Sequence, residues 1–202
     1  MSNTNAALIW SIAELLRGDY KQADYGKVIL PFTLLRRLDC VLATTKPAVL
    51  ETMAKLKDGL DPDYFLCAAS QYSFYNASKL DFHAISGDTS HTRANLEAYI
   101  GAFSANVRDI FERYDFAKQL DKLEGANLLY QVVQKYAAID LSPAAVDNAG
   151  MGAMFEELIR KFAELSNETA GEHFTPREVI QLIVHCLFAG DDVALAKPGV
   201  VR

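Results

Sequence analysis

Apolar side chains recur at three- and four-residue spacing along nearly the whole chain, which predicts a mainly helical protein. Leu8, Ile9, Ile12, Leu15 and Leu16 line one face of a first helix, and Gly18 follows as its C-terminal stop. A second stripe runs through Val28, Ile29, Phe32, Leu35, Leu38, Val41 and Leu42, with Pro31 inside it predicting a kink or a restart. Pro47 opens a third helix that turns Val49, Leu50, Met53 and Leu56 inward, and Asp61-Pro62 starts a short fourth one. The tyrosine- and phenylalanine-rich stretch from Gln71 to Phe82 reads as a short strand pair or an ordered loop, and Ser86-Gly87-Asp88 as a turn. Helical spacing returns at Leu96–Phe103, at Val107–Tyr114 and at Leu128–Tyr136.

Two segments near the end have the sharpest patterns. Ser142-Pro143 supplies an N-cap and a first-turn proline ahead of a strongly amphipathic run. In that run Met154, Phe155, Leu158, Ile159, Phe162 and Leu165 face inward, while Glu156, Glu157, Arg160, Lys161 and Glu164 face water. Thr175-Pro176-Arg177-Glu178 then forms a capping box before Val179, Ile180, Ile183, Val184 and Leu187, with Gly190 closing the helix. The turn Lys197-Pro198-Gly199 followed by Val200-Val201 reads as the approach to a strand.

Composition narrows the class. The chain has 202 residues, half of them hydrophobic, and no apolar run of the roughly 20 residues that cross a bilayer. The N-terminus has neither the basic residues nor the apolar stretch of a secretory signal. Cys40, Cys67 and Cys186 form no metal or disulfide spacing, so buried free thiols in a reducing cytoplasm are expected. A net charge of −6 and a pI near 5.2 argue against a freestanding DNA-binding domain, whose affinity rests on neutralising phosphates. Contact with nucleic acid then requires a local basic patch or a partner. Lys21, Lys27, Arg36 and Arg37, near Tyr20 and Tyr25, are the candidates for such a patch; solvated charge on a helix exterior is the alternative.

The segment Gly171-Glu172-His173-Phe174-Thr175-Pro176-Arg177 combines a permissive glycine, a charged pair, an aromatic and a capped helix start. A helix N-terminus suits a carboxylate or phosphate, and an aromatic beside it can pack on a flat ligand. The plainer alternative is a helix connection whose threonine cap contributes about 1 kcal/mol. His173 stands alone, His185 lies near an apolar stripe, and no metal is predicted. The chain has no dinucleotide loop, no P-loop, no nucleophile elbow and no adjacent prolines, hence no complete active site and no catalytic residue.

Three stretches resemble a known family. They are Ile9-Trp-Ser-Ile-Ala-Glu-Leu-Leu-Arg-Gly18 with Tyr25-Gly-Lys-Val-Ile-Leu-Pro-Phe-Thr-Leu-Leu-Arg-Arg-Leu-Asp39, then Phe155-Glu-Glu-Leu-Ile-Arg160, then Gly171–Val179. They are similar to the modification subunits of type I restriction-modification systems, which are DNA adenine-N6 methyltransferases. The resemblance implies a helical N-terminal domain over residues 1–148, followed by the first helices of a truncated α/β S-adenosylmethionine-dependent methyltransferase domain over 149–202. It implies that Glu172, His173, Phe174, Thr175, Pro176 and Arg177 line the S-adenosylmethionine pocket. Relatives continue into an Asp-Pro-x-x-Gly-x-Gly loop and an Asn-Pro-Pro-Phe segment, neither of which occurs here, so the fragment is expected to be inactive. The implied partners are DNA, a specificity subunit, a restriction subunit and a second modification subunit. A non-catalytic helical scaffold or dimerisation module is the competing expectation.

Overall fold

The first helix, α1, is helical from residue 10 to residue 16 and ends at Gly18, whose φ of +101° is open to glycine alone at little cost. This turn lets the Tyr20 amide donate back to the Leu16 carbonyl at 3.0 Å, closing the helix end. The computed structural model describes residues 10–56, 61–165, Thr175 and 177–190. Among these residues there are helices, turns and two isolated bridges, and no strand.

After a 3₁₀ turn at Gln22–Asp24, helix α2 (Tyr25–Leu42) forms the axis of the fold. It runs through Pro31 without the restart the proline predicts. A proline removes one backbone hydrogen bond. Val28, Ile29, Phe32 and Leu35, all fully buried, together hold the segment helical. Against α2 pack α8 (Phe116–Gly125) and α9 (Leu129–Ala137); α5 (Phe82–Gly87) and α6 (Thr92–Gly101) pack on α9, and α7 (Ala105–Arg113) on α8, all contributing to one core. Helix α8 was not expected, although Phe116, Leu120 and Leu123 mark its buried face at helical spacing. Asp115 (φ +51°) and Asn127 (φ +56°) turn the chain into and out of it; these are residue types that tolerate the left-handed region.

Helices α3 (Lys46–Lys55) and α4 (Pro62–Ser70) form a hairpin over a smaller core of Val49, Leu66 and Tyr75. Asp61 caps α4 by accepting from the Asp63 amide at 3.0 Å, as the Asp-Pro pair predicts. The aromatic stretch after it is an ordered loop, pinned where the Ala77 amide donates to the Ala102 carbonyl at 2.9 Å. Ser86 and Gly87 belong to α5 and not to a turn, because the Asp81 carboxylate caps that helix through the Ala84 amide at 2.7 Å.

Helix α10 (Asn148–Leu165) starts later than Ser142-Pro143 suggests. Ser142 closes only a local turn, accepting from the Ala145 amide, while Asp147 caps the helix through the Gly150 amide at 2.7 Å. Its buried residues, Met151, Met154, Leu158 and Phe162, follow the predicted stripe. At its far end Phe162 stacks on Trp10, ring centroids 5.7 Å apart. A Cβ on Gly26 would lie 3.2 Å from the Phe162 ring, so the glycine permits the close approach of α2. Arg160 pairs with Glu157 and Glu164 on the outer face.

Helix α11 (Arg177–Phe188) begins where the capping box puts it, but its apolar residues are not in a core. Val179, Ile180, Leu182, Ile183, Val184, Leu187 and Phe188 are all exposed, Leu187 to 69%.

The buried phenols give the fold an alkaline limit. Burial, helped by the charges of Asp24 and Asp19, pushes Tyr20 up to about 12. Burial and a hydrogen bond to the Asp63 carboxylate do the same for Tyr75, also to about 12. A phenol that titrates near 10 when unfolded and near 12 when folded stabilises the fold below pH 10. That contribution is lost as the pH climbs through 12. Absorbance titration at 295 nm should therefore show a share of the tyrosine signal, that of Tyr20 and Tyr75, appearing only together with loss of helix; the whole signal developing in a still-folded chain would contradict this.

Candidate functional site

The proposed basic patch divides in the structure. Lys21, just ahead of the 3₁₀ turn, and Lys27, in the first turn of α2, are both exposed. Lys27 Nζ lies 2.8 Å from Asp24 Oδ1, and this hydrogen bond is the main reason the Asp24 carboxyl sits below its usual range. Lys122 and Lys21 add their positive fields at the same carboxylate. Lys122, exposed on α8, places Nζ 3.7 Å from the centre of the Tyr20 ring. Three lysines thus gather around one aspartate, one of them brought from about 100 residues away.

Arg36 and Arg37 are not part of that surface. They are 6% and 7% exposed, and their donors are taken by the protein itself. Arg36 donates to Asp39 at 2.6 Å and to the carbonyls of Ile139 and Ala137. Arg37 donates to the carbonyls of Leu141 and Val146 and to Asn148. Either expected role needs an exposed guanidinium, but the connection that follows α9 covers this stretch of α2 and draws both arginines inward. Tyr20 and Tyr25 are buried as well, and the Tyr20 hydroxyl donates to the Gln119 carbonyl at 3.3 Å, so neither phenol is a surface donor.

Of the segment before α11 to which the cofactor is assigned by resemblance, Glu172, His173, Phe174 and Pro176 lie outside the described residues, as does the side chain of Arg177. Thr175 is exposed, and the helix opens at Arg177 with Glu178 in its first turn. His185 Nδ1 lies 2.8 Å from the Gln181 carbonyl, one turn back in its own helix. Cys186 is exposed, against the expectation of a buried thiol, while Cys40 and Cys67 are half-buried and burial pushes both thiols up. Among the described residues no three His, Cys, Asp or Glu side chains converge as metal ligands.

A polar recess of about 240 Å³ holds Arg36, Asp39, Lys46, Asp81 and His83. Its charges are engaged: Asp39 accepts from Arg36 and from Tyr99, Lys46 donates to the Leu80 carbonyl, and Asp81 caps α5. A second hollow of about 400 Å³ between α6, α7 and α8 is lined chiefly by Ile100, Phe111, Phe116 and Leu120. Cys40, Asp140 and Ser142 also line the polar recess, where burial holds the Cys40 thiol above its usual range and so in its weakly nucleophilic form.

These features define a mainly helical body in which α10 packs on α2 and shares its core, followed by α11 with its apolar residues exposed. The family model described as the HsdM N-terminal domain matches residues 5–136, and that described as N-6 DNA Methylase matches residues 146–199. The chain belongs to the family of modification subunits of type I restriction-modification systems, with the N-terminal domain and a short part of the methylase domain represented. No curated protein and no solved structure matches it. Among the described residues no helix is long and apolar enough to cross a membrane.

Proposed function

We propose that this chain supplies the DNA-enclosing and subunit-associating helical part of an adenine-N6 DNA methyltransferase, together with one wall of its cofactor site. The observation that carries the reading is the succession of a modification-subunit helical domain and a methylase match in one chain. The bare apolar residues of α11 support it, because a helix of that composition is stable only beside another layer. A doubly wound methyltransferase sheet is such a layer. We place the boundary between the two domains at about Asn148. A scaffold without catalytic descent leaves the methylase match unexplained.

Glu172, His173, Phe174, Thr175, Pro176 and Arg177 are the residues assigned to the cofactor. S-adenosylmethionine, when bound, supplies the methyl group. The chain's own part is to offer the amide donors and partial positive charge of the α11 start to the cofactor's carboxylate, with Phe174 against an apolar part. An exposed Thr175 ahead of a 12-residue helix fits that role. The target adenine leaves the base stack to be methylated. Lys21, Lys27 and Lys122 hold the phosphate backbone without reading sequence. Recognition of the site belongs to a specificity subunit; a second modification subunit and a restriction subunit complete the cytoplasmic assembly. This division of labour accommodates a chain of net charge −6.

The test uses the assembled complex, labelled cofactor and a duplex carrying its site. The complex is expected to incorporate label, and the isolated 202-residue chain to incorporate none. Each phosphate contact contributes about 0.9 to the dependence of log affinity on log salt, so the Lys21→Ala/Lys27→Ala/Lys122→Ala variant should lessen that slope by about 2–3. Label incorporated by the isolated chain would refute the incomplete site, and an unchanged slope would remove the lysines from the DNA surface.

A further inference from the structure

The connection from α9 to α10, residues 138–147, is not helical, and its carbonyls need donors from elsewhere. Two consecutive arginines on α2 supply them. Arg36 reaches the Ala137 and Ile139 carbonyls at 3.2 and 2.9 Å. Arg37 Nη1 reaches those of Leu141 and Val146 at 2.6 and 2.7 Å, and its Nη2 reaches Asn148 Oδ1 at 2.9 Å. Arg37 therefore holds both the middle of the connection and the first residue of α10. About 21 Å along that helix, Phe162 is seated between Trp10 and Gly26.

We propose that Arg37 is a clasp that locks α10 onto the N-terminal helical body, so that the first helix of the methylase match moves with that body. The family boundary falls between residues 136 and 146, yet α10 is attached to the N-terminal side at both of its ends. Arg37 is a positioning residue: it sets where the methylase region begins relative to α2. The planar fork is what the task requires, since Nη1 serves two carbonyls of the connection while Nη2 reaches the Asn148 side chain at the start of α10. A lysine in its place offers a single nitrogen, which cannot meet the connection carbonyls and Asn148 together. The clasp does not depend on the cofactor or DNA roles proposed above.

The chain contains a single tryptophan, Trp10, which reports directly on the seat of Phe162. Hydrogen exchange and tryptophan emission of the 202-residue chain should be compared for wild type, Arg37→Met, Arg37→Lys and Asn148→Ala. In both arginine variants, amides of residues 145–151 are expected to exchange at least about tenfold faster, with Trp10 emission moving to the red. Amides of α2 and α9 should keep their protection, and Arg37→Lys should not rescue. Asn148→Ala, which removes one acceptor and leaves the core intact, should give a smaller change in the same direction. Protection lost equally in α2, α9 and α10 would make Arg37 an ordinary core residue and overturn the clasp. So would rescue by lysine, or unchanged exchange and emission in the arginine variants.

Discussion

Replacing Asp39 by alanine is expected to destabilise the helical body by about 3–5 kcal/mol, the usual result of removing one partner from a buried ion pair. Asp39 and Arg36 are each 7% exposed in their side chains, and Arg36 Nη1 donates to Asp39 Oδ2 at 2.6 Å. The other carboxylate oxygen accepts from the Tyr99 hydroxyl at 2.7 Å. Alanine therefore leaves a buried guanidinium short of a counter-charge and a buried phenol without its acceptor. The carbonyls of Ile139 and Ala137 remain on Arg36, which favours the lower end of the range. Urea denaturation followed by circular dichroism measures the effect. Because domains of this size are stable by about 5–15 kcal/mol, Asp39→Asn is the companion variant. It keeps an acceptor for Tyr99 and should cost less than alanine. A loss under about 1 kcal/mol for alanine would show that the network contributes little.

A second contrast sets the core against α11. Phe32→Ala should cost about 3–5 kcal/mol, because truncation of a buried phenylalanine loses both transfer energy and packing. Phe32 is fully buried, stacked on Tyr136 at 5.4 Å and edge-on to Phe116 at 5.0 Å, so one ring joins α2, α8 and α9. Leu182→Ala, at a residue 63% exposed on α11, should change the stability of the 202-residue chain by no more than about 0.5 kcal/mol. The same unfolding experiment measures both. A Leu182 effect equal to that of Phe32 would mean that α11 is packed in the isolated chain, and would remove the argument for a missing layer.

Where a helix was legible, the information was local. The stripe Met154, Leu158, Phe162 and the buried run Val28, Ile29, Phe32, Leu35 both appear in the structure as read from spacing. The Asp61-Pro62 start and the Gly18 stop depend on φ preferences and on one or two nearby hydrogen bonds, so they too were readable. Helix α8 carried the same periodic signal in Phe116, Leu120 and Leu123, but interleaved charges at Lys118, Asp121, Lys122 and Glu124 blurred it. The candidate site was less legible. Lys21 and Lys27 are close in sequence, whereas Lys122 joins them only because α8 packs on α2.

The order of residues determined the helical class, most helix starts and the family, because capping, proline geometry and apolar spacing act over a few residues. Tertiary structure alone decided which charges are inside. Arg36 and Arg37 look like surface cations in a Leu-Leu-Arg-Arg-Leu string, yet the connection that follows α9 wraps over them and needs their donors. It likewise decided that α11, the most apolar-looking of the late helices, stands uncovered. Burial is a property of what packs against a residue, and those neighbours lie tens to more than a hundred positions away, beyond the reach of any local pattern.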